Sequence, residues 1–308
     1  MSVRAATGGA LVLAASSVAA WALAYPQGSL SATLARAATD GAAVVTLGLA
    51  VVPMLDVGRH RGELARRANA PLIAASAVWL VTELIRLTLV AAETTAAPVG
   101  RLGVSSAVRF AFDTTAGRCG LISVAAAAVV GLVVAVAPSR ATPAGWAVTS
   151  GVAAIGLSAH TLAGHLADSA LGGAAIAVHT LAAALWCGTM AALVLTVEHR
   201  GQWARVLPRF AQLSMGCVAA LLAAGVTGAV VRLDSPAQLP STGYGRLLLA
   251  KVAMTAILLA LAARNRSWWL PAARSHRATA GLSRSRAVTE LAVMAVALTL
   301  AAALAVTG

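Results

Sequence analysis

Nine long apolar stretches, separated by polar loops, constrain the fold of this chain more than any other feature. An apolar run of about 20 residues spans the hydrocarbon core of a bilayer as a helix. Irregular backbone cannot satisfy its polar groups in lipid, and the alternating pattern of a membrane barrel is absent from the sequence. The sequence therefore predicts an all-α, polytopic transmembrane helical bundle. The predicted spans lie near residues 7–25, 33–55, 70–92, 117–137, 143–167, 173–197, 208–231, 246–264 and 286–306.

Charged residues are too few for a soluble protein. They make up 11% of the chain, against about 25% in a typical soluble domain. The first span follows Arg4 and resembles a signal peptide, but its run of about 19 residues exceeds the usual apolar region of about 7–15 residues. We therefore expect it to remain as a span, and its removal would leave eight.

Basic residues are distributed unevenly between the two sides of the predicted bundle. With the N-terminus in the cytoplasm, fifteen arginines fall on the cytoplasmic side and five on the outer side. This asymmetry is typical of inner-membrane proteins. We therefore predict a multi-pass protein of the cell (inner) membrane with its C-terminus outside. The net charge of +13 then reflects topology and contact with the lipid bilayer, and we expect no nucleic-acid partner.

A short sequence similarity within the chain suggests an internal repeat. Thr115 to Arg118 opens one helix, the similar Thr242 to Arg246 opens another, and four spans separate the two. An even offset preserves orientation, so a duplication would be parallel, about an axis along the membrane normal. We divide the chain into N-terminal membrane helices, residues 1–142, and a C-terminal membrane domain, residues 143–308.

Several ionisable side chains fall inside the predicted spans, where they are either functional or structural. Three pairs have the i,i+3 or i,i+4 spacing that allows contact within one helix: Glu83 with Arg86, Asp40 with Arg36, and Glu290 with Arg286. Lys251 has no such partner and is expected to reach the headgroups by snorkelling. The sequence leaves the roles of these residues open.

Three of the six histidines cluster near the outer ends of two consecutive spans. A turn at Asp168 to Gly173 would fold these spans into a hairpin and bring His160 and His179 to the same depth. His165 is rotated about 140° from His160 and should lie nearer the surface, beside Asp168. The sequence therefore predicts an ion site in the outer half of the membrane, built from His160 and His179 with His165 or Asp168 in addition.

One helical stripe leads inward from this site. His179, Trp186 and Met190 share a face of the predicted helix, and Cys187 lies just beside it. Thioether and thiolate select Cu(I), while imidazole accepts copper in either state. Zinc would accept a similar ligand set, and a histidine proton relay is a further alternative. The stripe could equally be an ordinary packing face.

Three segments resemble the copper resistance protein D family. They are VHTLAAALWCGTMAA at 178–192, STGYGRLLLAK at 241–251 and RAVTE at 286–290, and the similarity covers roughly residues 150–308. The glycine pair usual after the tryptophan is here Cys187-Gly188, which leaves open how the helix packs there and adds a soft ligand.

The resemblance implies a membrane protein that transports or delivers copper, as Cu(I) or Cu(II), taken up at the outer (periplasmic or extracellular) face. It also implies a separate periplasmic copper-binding protein as partner. No phosphate-binding loop or aspartyl-phosphate motif is present, so we expect any transport to be passive, coupled to another gradient, or a transfer of the metal to a neighbouring protein. We expect no enzymatic activity. Two alternatives are a redox protein holding haem b between His160 and His179, and an assembly factor for a copper oxidase.

Overall fold

The computed structural model describes residues 3–136, 142–161, 170–232 and 238–307, and all regular structure in these ranges is helical. A turn of 3-10 helix follows α2 at Val52–Leu55, and a π-helical turn follows α10 at Asn265–Trp269. The α-helices, in chain order, are α1 (Val3–Ala24), α2 (Leu30–Val51), α3 (Gly58–Thr94), α4 (Val104–Asp113), α5 (Thr115–Val136), α6 (Pro143–Thr161), α7 (Ala170–Thr196), α8 (Arg200–Arg232), α9 (Gln238–Ser241), α10 (Gly243–Arg264), α11 (Leu270–Arg274) and α12 (Ala280–Thr307).

Seven of the described helices are long and apolar enough to cross a membrane. They are α2, α3, α5, α7, α8, α10 and α12, and each corresponds to a predicted span. Two shorter apolar helices, within α1 and α6, correspond to the first and fifth predicted spans. The all-helical, multi-pass prediction is therefore confirmed, whereas the total of nine spans stays a prediction.

Threonine N-caps begin α5 and α10, the two helices whose starts are similar in sequence. The Thr114 hydroxyl accepts a hydrogen bond from the Gly117 amide at 2.9 Å, and the Thr242 hydroxyl accepts one from the Gly245 amide at 3.0 Å. Such caps satisfy amides that have no partner inside the helix. The two starts are thus built alike, while a duplication of the whole unit stays a prediction.

Helices α2 and α7 form the centre of the bundle. Helix α2 packs against α3, α6, α12 and α7, and α7 also packs against α8. Where α2 and α7 touch, a Cβ on Gly48 would collide with the backbone of Gly188, and one on Gly188 would collide with the Val44 carbonyl. Two glycines therefore let the backbones meet, the usual device for close packing in membranes. At the Cys187-Gly188 position, where the sequence left the helix packing open, Gly188 therefore packs closely against α2.

Ion pairs join the helix ends that carry many of the predicted cytoplasmic arginines. Arg205 at the start of α8 donates two hydrogen bonds of 3.2 Å to Asp56, which follows α2. Arg209 donates to the Leu55 carbonyl, and Arg67 of α3 pairs with Glu198 at 2.9 Å. The ends of α2 and α7 and the starts of α3 and α8 therefore lie together. We call this end of the bundle the basic end.

The opposite end holds α1 in place through α10 and α12. Arg246 of α10 donates to the carbonyls of Leu23 and Tyr25, at 3.0 and 2.9 Å. Ala20 and Ala24 of α1 form a small apolar cluster with residues of α10 and α12. The first apolar segment is thus packed into the bundle.

Candidate functional site

Helix α7 places His179 between itself and α8. His179 is the tenth residue of α7, about 14 Å from the helix start at 1.5 Å per residue. Its Cε1 and Nδ1 atoms lie 3.8 Å from the position that a Cβ on Gly225 of α8 would take. Glycine at that position therefore leaves the room that the imidazole occupies.

The Nδ1 atom of His179 is buried and has no hydrogen-bond partner among the described residues. Buried polar atoms are nearly always paired, so an unpaired one calls for an explanation, such as a functional role or an ion that binds there. An unprotonated Nδ1 offers a lone pair to a metal ion. The imidazole is thus suited to act as a ligand.

Lys251 lies within electrostatic range of His179. It shares a face of α10 with the buried residues Leu247 and Leu258. Neither a hydrogen bond nor an ion pair is found for its ammonium group within the described ranges. The expected reach of this side chain to the headgroups stays a prediction. A basic side chain is therefore within electrostatic range of the candidate ligand.

A second group of polar side chains lies deeper. Cys187, eight residues after His179 on α7, is within electrostatic range of Cys217 on α8 and of Glu290 on α12. Both cysteines are free thiols. Glu290 is buried and accepts a hydrogen bond of 2.6 Å from Asn265. The predicted pairing of Glu290 with Arg286 is therefore wrong, because the π-helical turn brings the Asn265 amide to the carboxylate.

Trp186 and Met190 belong to the core of the bundle. Met190 is completely buried, and Trp186 is 4% exposed with its indole nitrogen unpaired in the described part of the chain. Both side chains pack in the apolar core, so this part of the stripe serves as a packing face. A role of Met190 or Cys187 as a copper ligand stays a prediction.

The other predicted ligands fall largely outside what the structure describes. His165 and Asp168 lie outside the described residues, and so does the side chain of His160, whose backbone belongs to α6. The pairing of His160 with His179 therefore stays a prediction. Within the described ranges, no three His, Cys, Asp or Glu side chains are grouped closely enough to hold a metal ion.

The spans of the first half hold their charges in pairs. Glu83 and Arg86 of α3 are buried and joined at 2.6 Å, and Arg36 and Asp40 of α2 are joined at 3.3 Å. Both predicted pairings are confirmed. Such internally neutralised pairs stabilise helix packing without leaving a charge exposed to lipid.

Three residues near the candidate site had not been singled out from sequence. Cys217 and Gly225 lie eight residues apart on α8, and together they face α7. Small residues at helical spacing indicate such a packing face. Asn265 carried a weaker signal, as an uncharged polar residue between Arg264 and Arg266.

Two family models match the chain. The copper resistance protein D-like N-terminal domain matches residues 27–175, and copper resistance protein D matches residues 204–304. No curated protein and no solved structure matches it. The similarity thus extends into the N-terminal half, beyond the roughly 150–308 range of the sequence resemblance.

Proposed function

Because the chain belongs to the copper resistance protein D family, we propose that it transports or delivers copper across the membrane from the outer side. The observation that carries this proposal is the buried, unpartnered Nδ1 of His179 in the gap between α7 and α8. A buried imidazole nitrogen without a hydrogen-bond partner is suited to binding a metal ion, because the ion would use a lone pair that no protein group satisfies.

The proposed path begins at the outer ends of α6 and α7. His160, His165 and Asp168 complete the outer site around His179. From there the ion moves inward along α7 toward Cys187 and Met190, which supply softer ligands. Imidazole first and sulfur afterwards is an order that suits copper held as Cu(I) in the deeper part.

The ammonium of Lys251 favours the same oxidation state. Repulsion between two cations scales with the product of their charges, so Cu(II) beside Lys251 is opposed about twice as strongly as Cu(I). We therefore propose Cu(I) as the transported form at His179.

The proposed orientation places the basic end in the cytoplasm. The C-terminus and the histidines of the proposed site, His160, His165 and His179, then lie toward the outer side. A separate periplasmic copper-binding protein would deliver the ion. The copper ion then moves down its own gradient, is driven by coupling to another gradient, or is transferred to a neighbouring protein.

The deciding experiment compares His179→Ala with His165→Ala. Copper bound per protein and copper accumulated by cells are measured at matched expression. We expect His179→Ala to lose about tenfold or more in either measurement, because water cannot replace a ligand at that depth. His165→Ala should lose less, since Asp168 or solvent can stand in for a surface ligand.

Equal copper binding by His179→Ala and the unaltered protein would reject the histidine site. An absorbance scan of the same samples tests the haem b alternative. An intense Soret band that disappears in His179→Ala would replace copper by haem as the bound group.

A further inference from the structure

A cavity opens at the basic end, away from the proposed copper path. Its volume is about 430 Å³, and Arg264, Trp268 and Arg286 line it. Arg264 is the last residue of α10, and Arg286 lies in the second turn of α12. Arg264 and Trp268 are exposed and Arg286 is half-buried, so the cavity is an open groove at the protein surface, within the volume range of roughly 300–1,000 Å³ of small-molecule sites.

The π-helical turn shapes this cavity. Asn265 at its beginning bonds Glu290 of α12, and the Trp269 indole at its end donates to Ser283 at 3.1 Å. Arg286 lies between Ser283 and Glu290 on α12, so the two bonds fix the turn to α12 on both sides of it. Single π-helical turns are frequent at functional sites.

Both guanidinium groups of the cavity lack a counterion. Neither Arg264 nor Arg286 has a side-chain hydrogen bond or an ion pair in the part of the chain that the structure describes. Glu290, the nearest acid on α12, is bonded to Asn265 instead. Two positive charges therefore face one cavity with nothing of opposite sign to balance them, which favours an anionic ligand.

The location of the cavity at the membrane interface favours the headgroup of a lipid as the anion. Trp268 is 72% exposed, and exposed tryptophan at a span end is typical of the membrane interface. Basic pockets between transmembrane helices on the cytoplasmic side bind the headgroups of anionic lipids. Arginine binds phosphate oxygens through paired, charge-assisted hydrogen bonds. We infer that Arg264 and Arg286 bind the phosphate of an anionic phospholipid, with Trp268 beside its glycerol region.

The test measures lipid binding to the purified full-length protein. The protein in non-ionic detergent is titrated with phosphatidylglycerol and, separately, with phosphatidylcholine of the same chain length, and bound lipids are counted by native mass spectrometry. We expect tighter binding of phosphatidylglycerol. Arg264→Gln with Arg286→Gln should weaken it by about a hundredfold, because each of the two lost charge-assisted bonds is worth about tenfold.

A matched control removes the same charge from the loop region between α10 and α12. Arg274→Gln with Arg277→Gln lies outside the cavity lining and should leave phosphatidylglycerol binding unchanged. An equal loss in this control would attribute the binding to the general charge of the loop and overturn the site. Equal affinity for phosphatidylcholine would overturn it as well.

Two further arms complete the test. Inorganic phosphate at the lipid's concentration should not displace phosphatidylglycerol, and full displacement would mean a free-anion site in place of a lipid site. Should the double glutamine variant fail to fold, the single variants and Arg264→Lys with Arg286→Lys carry the test. The lysine variant keeps the charge, so it should retain the preference for phosphatidylglycerol at lower affinity.

Discussion

The two halves of the bundle treat buried charge differently. In α2 and α3 each intramembrane acid is bonded to an arginine on its own helix, as in Glu83 with Arg86. In α10 and α12, by contrast, Lys251 lacks a counterion among the described residues, and Glu290 is bonded to a neutral amide.

This difference separates two uses of an ionisable group in a membrane. A neutralised pair leaves no net charge in the membrane, whereas an unbalanced charge costs free energy and is by default a candidate for a function. Under the proposed function, ion handling would therefore belong to α7, α8, α10 and α12, and a supporting role to α2 and α3. The predictions below test that division.

The largest expected effect comes from breaking the Glu83–Arg86 pair. Glu83→Ala should lower the free energy of unfolding by about 3–5 kcal/mol, because it leaves Arg86 buried without its partner. Denaturant titration in detergent measures the loss. Replacing both residues by leucine should cost less than Glu83→Ala alone, and a loss below about 1 kcal/mol in the single variant would contradict a structural role for the pair.

The next effect concerns the glycine contact that joins the halves. Gly188→Ala should cost about 1–3 kcal/mol in unfolding free energy, because its methyl group would meet the backbone of α2. Gly216→Ala on α8 is the matched control, since no atom lies within 4 Å of that added Cβ. Equal stability of the two variants would show that α2 and α7 do not depend on close contact.

The smallest effect on stability should come from Lys251→Met. The change removes a charge that no described residue balances, so the unfolding free energy should stay the same or rise by about 1 kcal/mol. Copper binding should tighten by about tenfold, since repulsion next to His179 is removed. Competition with a Cu(I) chelator measures the affinity. Weaker binding would instead make Lys251 a supporting member of the copper site.

Hydropathy and spacing within one helix predicted a large part of this structure. The span positions follow from the lengths of the apolar runs, and the Glu83–Arg86 and Arg36–Asp40 pairs follow from their spacing on a helix. Both kinds of signal depend only on residues within one helix, so they do not require knowledge of how the helices pack against each other.

Contacts between helices were harder to predict, because they depend on how each helix is rotated against its neighbours. The Glu290 carboxylate lies one turn from Arg286, yet the π-helical turn after α10 offers Asn265 from a different helix. The contact of His179 with Gly225 likewise joins two helices at positions that no spacing rule connects. The sequence predicted His179 as a ligand, which stays a prediction, but it did not predict the surface of α8 that this side chain faces.

The bonds from Arg246 to the carbonyls after α1 have a consequence for synthesis. Arg246 follows Tyr25 by 221 residues, so a ribosome adding about 5–20 residues per second reaches it roughly 10–45 s later. During that interval α1 can contact α2 but neither α10 nor α12, which do not yet exist. Helix α1 is thus made well before it can reach its final neighbours, and a chain cut short before α10 would leave it without them.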